Sequence, residues 1–158
     1  MNFNNYTQKS IEAVQSAQQL AVQNSNPQME QVHLLLALIQ QEDGLIPQLL
    51  KKMGVTVESL EAAAEAELRK LPGVRMSSEA NTIYKSNDVD DAFNAAEKQE
   101  KTMKDEYISV EHLFLGLIDA ARGSVKELFK TYQIEKSKAL EALREVRGNQ
   151  RVTTDNPE

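Results

Sequence analysis

Apolar residues recur at three- and four-residue spacing through most of the chain, the period of a helix with one buried face. Ile11, Val14, Ala17 and Ala21 predict a helix from about Thr7 to Gln23, interrupted by the polar stretch from Asn24 to Pro27. The next segment, about Gln28 to Gln41, is apolar nearly all round through Leu34 to Ile39 and is expected to be a central, fully buried helix. Asp43 and Gly44 end it. A short helix from Leu45 to Met53 stops at Gly54, and Thr56 is placed to cap a longer one through Glu58, Leu60, Ala64 and Leu68. Pro72 and Gly73 then close this first half.

The second half repeats the first. A shift of 79 positions lays VHLLLALI (Val32 to Ile39) on EHLFLGLI (Glu111 to Ile118), matching His33 with His112 and Leu34, Leu36, Leu38 and Ile39 with their counterparts. The same shift pairs Ala13 with Ala92, Ala17 with Ala96, Gly44 with Gly123, Leu49 with Leu128, Lys51 with Lys130 and Ala63 with Ala142. Eleven identities at one offset, clustered on apolar and glycine positions, mark a duplicated unit. The second copy predicts a helix from about Asn87 to Met103 capped by Ser86, with Val89, Phe93 and Ala96 facing inward. It continues with a central helix from about Val110 to Ala121 behind Ser109. A short helix follows Gly123, opening on Ser124-Val-Lys-Glu127 as an S-x-x-E capping box, and the last helix covers about Glu135 to Arg147. The fold class is therefore all-α: about eight helices in a tandem pseudo-twofold repeat of two four-helix units. Repeat one occupies 1–71, a linker 72–85 and repeat two 86–148, and the tail 149–158 has no periodicity.

Length and composition suit one globular body, with 158 residues, 41% hydrophobic and 27% charged. Cysteine is absent, which removes disulfides, thiolate metal sites and cysteine nucleophiles. The net charge of −6 has no basic block to neutralise phosphates, so nucleic acid is not an expected partner. The polar start MNFNNYTQKS lacks a secretory h-region, and the longest unbroken apolar stretch, Leu34 to Ile39, falls far short of the ~20 residues of a membrane span. A cytoplasmic protein with no membrane partner is expected.

Little chemistry stands out. No pair of glycines has the spacing of a phosphate-binding P-loop, and neither a G-x-S-x-G elbow nor an H-E-x-x-H helix occurs. Glu30-Gln-Val-His33 has the E-x-x-H spacing of carboxylate-bridged metal bundles, but Ser109 stands where the second glutamate would be. A metal-dependent helical-bundle enzyme is thus a distant alternative. Both histidines fit better as buried, hydrogen-bonded structural residues. No catalytic residue, metal ligand or cofactor-binding residue is assigned.

The residues that carry the duplication resemble the double-repeat N-terminal domain of Clp ATPases, which repeats an E-H-L-L-L-A-L-like motif at the start of its central helices. EHLFLGL at Glu111 to Leu117 matches it closely; the first copy has Val32 in place of the glutamate, at a position expected on the exposed first turn. ELRKLPGV (Glu67 to Val74) and RVTTDNPE (Arg151 to Glu158) are similar to the ClpB branch, the second to the linker leading into the first ATPase domain. The resemblance implies a non-catalytic, substrate-recruiting domain of a protein disaggregase, binding unfolded or aggregated polypeptides. It further implies a homohexameric parent working with an Hsp70-type co-chaperone system, whose ATP and magnesium belong to domains beyond residue 158. Docking of adaptor proteins for a ClpC- or ClpA-type unfoldase is the close alternative.

A duplicated helical unit leaves a seam between its halves, where apolar side chains can form a groove for an apolar segment. Val14 and Phe93 are equivalent positions on the first helices of the two units, and a pseudo-dyad would bring them near that seam; packing in the core explains them equally well. The resemblance places Thr7, Asp105 and Glu111 around the groove as polar residues. Thr7 also suits an N-cap, and Glu111 an anion in a helix's first turn.

Overall fold

Among the described residues eight helices stand in two sets of four, and a shift of 79 residues carries one set onto the other to within a residue at every end. The computed structural model describes residues 3–74, 84–148 and 153. The first unit holds α1 (Gln8–Gln23), α2 (Gln31–Gln40), α3 (Leu45–Lys52) and α4 (Val57–Arg69). The second holds α5 (Asn87–Thr102), α6 (Val110–Ala120), α7 (Gly123–Thr131) and α8 (Lys136–Arg147). Turn geometry repeats as well. Ser25 and Lys104 are equivalent and both left-handed, at φ 56° and 59°, as are Gly54 and Gln133 at 81° and 55°. The turn shape is shared although Gln133 stands where the first unit has Gly54, and at position 133 a side chain bears the strain of a positive φ.

The two units are joined by an exchange of backbone. Two-residue strands β1 (Gln28–Met29) and β2 (Tyr84–Lys85) pair in parallel, setting Met29 beside Lys85. Their counterparts under the repeat, Ile108 and Tyr6, form the matching parallel bridge. The N–H of Thr7 donates to Ile108 O at 2.9 Å, and that of its counterpart Ser86 to Met29 O at 3.0 Å. Each unit's leading segment thus satisfies the backbone that precedes the other unit's central helix, which is what a pseudo-twofold axis requires. These strands were not expected from the sequence. Two residues are too few to show a period of two, and spacing alone extends the central helix over Gln28–Met29 and the linker over Tyr84–Lys85.

The central helices are the core, as their composition predicts. Every residue from Gln31 to Ile39 is buried, and so is each from Val110 to Leu117. The buried polar residue Gln31 crosses the seam. Its amide donates to Asp88 O at 2.8 Å and Ala120 O at 2.9 Å, and its carbonyl accepts from Arg122 N at 3.0 Å. Two helix-end backbone groups, Ala120 O of α6 and Arg122 N ahead of α7, are satisfied by this one side chain, which also reaches Asp88 O in the first turn of α5 and so docks the first unit's α2 onto the second.

Thr7 and Ser86 cap α1 and α5 as expected, accepting from Ser10 N and Val89 N at 3.2 Å each. Two other caps differ. Thr56 precedes α4 without a side-chain cap bond. Helix α7 begins at Gly123 after Arg122, so Ser124 lies inside the first turn and forms no capping box. Most of the expected linker, 75–83, and all of the tail 149–158 but Thr153 lie outside the described residues.

Candidate functional site

Where the amino-terminal segment meets the second unit, the seam is lined by aromatic rings. Phe3 and Tyr6 pack edge to face at 4.9 Å between centroids, and Tyr6 meets Phe93 at 6.4 Å, again nearly perpendicular. Lys85 caps the Phe93 ring from 5.9 Å while pairing with Asp90 at 3.1 Å. Burial, with the carboxylates of Glu97 and Glu100 nearby, pushes the Tyr6 phenol up to about 12. Burial likewise raises the Glu100 carboxyl.

Beside these rings, Thr7 and Ser10 lock α1 to the second unit. Ser10 Oγ lies 2.8 Å from Thr7 O and 2.9 Å from Ile108 O, sharing its one proton between the two carbonyls. The Thr7 hydroxyl donates to Ser10 Oγ at 3.1 Å. Thr7 is wholly buried. It is at once helix cap and part of the inter-unit junction.

A histidine device recurs in both units. At the start of α2 the N–H of Glu30 donates to His33 Nδ1 at 2.8 Å; at the start of α6 the N–H of Ser109 donates to His112 Nδ1 at 2.9 Å. An Nδ1 that accepts cannot carry the proton, so Nε2 does. The Nε2–H then points to the residue seven positions earlier, Asn26 Oδ1 at 2.8 Å or Asp105 Oδ2 at 2.7 Å. The second arm of that residue reaches the chain just past α4 in the first unit and the end of α8 in the second. Asn26 Nδ2 donates to Pro72 O at 3.2 Å, and Asp105 Oδ1 accepts from Arg147 Nη2 at 2.6 Å. Burial lowers His33 to about 4.

The chemistry around the device diverges between the halves. Asn26, Val32 and Leu68 in the first unit become Asp105, Glu111 and Arg147 in the second. Arg147, at the end of α8, pairs with Asp105 and lies 3.7 Å from Glu111 Oε2. Two buried carboxylates and one buried guanidinium replace a neutral set, and the three changes make sense only together, because a buried charge needs its partner.

The structure therefore places Thr7 and Phe93 at the seam, Asp105 in the loop between α5 and α6, and Glu111 in the first turn of α6. Val14 is buried on the inner face of α1, and the ring that meets Phe93 is Tyr6, which the sequence reading did not single out. All five expected site residues are at least nine-tenths buried. Position 32 is not on an exposed turn: Val32 is 2% and Glu111 5% exposed, so the exchange of valine for glutamate is a change inside the fold. Tyr6, Ser10 and Arg147 were missed. The offset could have found Arg147, since its counterpart Leu68 sits on an apolar face.

Both nitrogens of His33 are committed to Glu30 and Asn26, and Glu30 accepts from Gln28 Nε2 at 2.9 Å, so this E-x-x-H fragment is built as a helix start. Among the described residues no group of three or more His, Cys, Asp or Glu side chains is placed to hold a metal ion, and no helix is long and apolar enough to cross a membrane.

The family model described as the Clp repeat (R) N-terminal domain matches residues 5–132. The chaperone protein ClpB of Bacillus cereus (strain ATCC 14579) is 40% identical over 159 residues, covering 100% of this chain. The chain spans 18% of the length of that curated relative. Among solved structures, the Hsp104 N-terminal domain from Candida albicans has a TM-score of 0.82 at 24% identity, covering 96% of this chain and 97% of that one. The N-terminal domain of the caseinolytic protease associated chaperone ClpD from Arabidopsis thaliana has a TM-score of 0.67 at 23% identity, covering 91% and 97%.

Proposed function

Since the chain belongs to the Clp repeat N-terminal domain family, we propose that it recruits unfolded or aggregated polypeptide for an ATP-driven disaggregase of the ClpB type. The domain itself is non-catalytic. In this reading residues 1–148 form the recruiting module, 149–158 begin the tether, and ATP and magnesium bind in domains further along the chain. The parent works in the cytoplasm as a homohexamer in stress response and refolding, with an Hsp70-type partner.

One observation carries the reading: an aromatic cluster of Phe3, Tyr6 and Phe93 at the junction of the halves, framed by strands of only two residues. Phe3 is only partly buried. An apolar side chain of an unfolded segment can take its place against Tyr6 and Phe93, next to Thr7, Asp105 and Glu111. Because the cluster is small, a single domain binds weakly. Six copies on one ring raise the effective concentration of sites.

The test is an amide NMR titration of the 158-residue chain with a reduced and alkylated, permanently unfolded protein. Saturable shifts at residues 3–10, around Phe93 and from Asp105 to Glu111 are expected, weakened by Phe3→Ala. Shifts confined elsewhere, or none, reject the assignment of the seam. The fold shared with a protease-associated chaperone favours adaptor docking as a second reading. A folded adaptor that binds while unfolded chains do not would establish it.

A further inference from the structure

The two units release the chain in different ways. Beyond α4 it stays fastened to the first unit: Leu68 is buried, Asn26 Nδ2 donates to Pro72 O at 3.2 Å, and the N–H of Val74 donates to Ser25 O at 2.8 Å. An apolar side chain and two bonds to backbone oxygens hold that exit. The end of α8 is held otherwise. Its buried residues are Ala139, Ala142 and Leu143, and Arg144, Glu145 and Val146 in the turn that follows are exposed. Glu145 meets Lys52 at 3.3 Å, but both side chains are exposed, and such a pair contributes little. What turns inward is Arg147, the last residue of the helix, before Gly148 takes a positive φ.

The guanidinium of Arg147 spans two elements. Nη2 meets Asp105 Oδ1 in the loop between α5 and α6 at 2.6 Å, and Nη1 lies 3.7 Å from Glu111 Oε2 in the first turn of α6. Asp105 is gripped from its other side as well, since His112 Nε2 donates to its Oδ2 at 2.7 Å. From α5, buried Glu100 stands near the same histidine and hydrogen-bonds Asn5, which lies between Phe3 and Tyr6 of the aromatic seam. The network therefore runs from the seam to the point where the chain leaves the second unit.

Under the repeat, Glu100, Asp105, Glu111 and Arg147 correspond to Ala21, Asn26, Val32 and Leu68. The first unit builds the same helix starts with neutral residues at all four positions, so the fold does not require these charges. What they add is a fastening that depends on partners: a buried guanidinium stays docked only while its carboxylates are there to meet it, and each carboxylate is equally dependent on the guanidinium.

We infer that Arg147 is a strap on the exit of the chain, docking the last turn of α8 onto the α5–α6 loop and α6 only while Asp105 and Glu111 are both in place. Displacing either carboxylate frees residues 144–148 as a unit. The use of such a strap rests on the recruiting function proposed above: Asp105 and Glu111 lie next to the seam and residue 148 is where the tether begins, so the strap sets whether domain and tether move as one body. By reciprocity, a tether that pulls Arg147 away alters the seam.

The test is native-state amide hydrogen exchange read residue by residue on the 158-residue chain at one pH, corrected for intrinsic rates. Glu111→Gln keeps the side chain's shape without its charge, and Arg147→Lys keeps the charge without the fork that spans two carboxylates. In both, the amides of Val146, Arg147 and Gly148 should exchange at least about tenfold faster, with those of Ala139 to Leu143 and of the first unit unchanged. The full first-unit set, Asp105→Asn with Glu111→Val and Arg147→Leu, puts an apolar anchor in place of the charges and should return exchange at 146–148 to within about threefold of wild type. Unchanged exchange there in both single variants would overturn the strap, and so would a uniform rise through α5 to α8, which would make the cluster a matter of global stability alone. Adding the permanently unfolded protein separates the two readings. Shifts at the seam with no change in exchange at 146–148 would leave recruitment standing and remove the link, whereas loosening confined to 144–148 in the variants without any shift at the seam would support the strap and reject the seam.

Discussion

Asp105 and Arg147 meet at 2.6 Å where the equivalent residues of the first half, Asn26 and Leu68, are neutral. The pair is buried, with Arg147 10% and Asp105 0% exposed in their side chains, so its worth depends on both partners being present.

Arg147→Leu alone should destabilise the chain by about 3 kcal/mol, because it strands two buried carboxylates. Importing the whole first-half set, Arg147→Leu with Asp105→Asn and Glu111→Val, should recover most of that loss. Urea denaturation of both variants measures the difference. A triple variant no more stable than the single one would show that the three positions are not coupled.

Gln31→Ala should cost about 1 to 3 kcal/mol, since it leaves Ala120 O and Arg122 N, at the end of α6 and the start of α7, without their side-chain partner at a partly buried junction. Amide hydrogen exchange should show faster exchange at Arg122 together with the lower midpoint. A loss under about 0.5 kcal/mol, the size of an ordinary surface change, would mean that water replaces the side chain there.

His33 makes stability depend on pH in a defined window. Its folded value of about 4 lies below the ordinary 6.5, so between these the unfolded chain binds the proton and the folded chain does not. Stability from this group is complete above about pH 6.5, falls as the pH drops to about 4, and falls no further below that. The loss is on the order of 2 to 3 kcal/mol. Denaturation of wild type and His33→Gln across pH 7 to 4 isolates it: the variant's curve should be flatter over that interval, and parallel curves would contradict the buried neutral imidazole.

Gly116→Ala should cost about 1 to 3 kcal/mol through overpacking against α5. Ala37→Gly removes no comparable clash and should cost no more than about 1 kcal/mol, the helix penalty of glycine. Equal and small losses at both sites would show that the two crossings are alike.

Much of this molecule was legible as text. Apolar spacing placed the eight helices of the described residues, because each must bury one face, and the offset of 79 revealed the duplication because equivalent core positions keep their residue type. The caps at Thr7 and Ser86 were readable from local chemistry. Thr56 was not, since a residue type permits a cap bond without compelling it.

Along the chain itself, then, periodicity determined which segments are helices and that one unit occurs twice; these are local properties, fixed within a few turns. Tertiary structure alone decided how the halves exchange backbone at Thr7 and Ile108, that Gln31 bridges three helix ends, and that α6 crosses α5 at Gly116 closely enough to leave no room for a side chain. Each of those depends on atoms dozens of residues apart coming within hydrogen-bonding or van der Waals distance, and sequence spacing does not encode such distances.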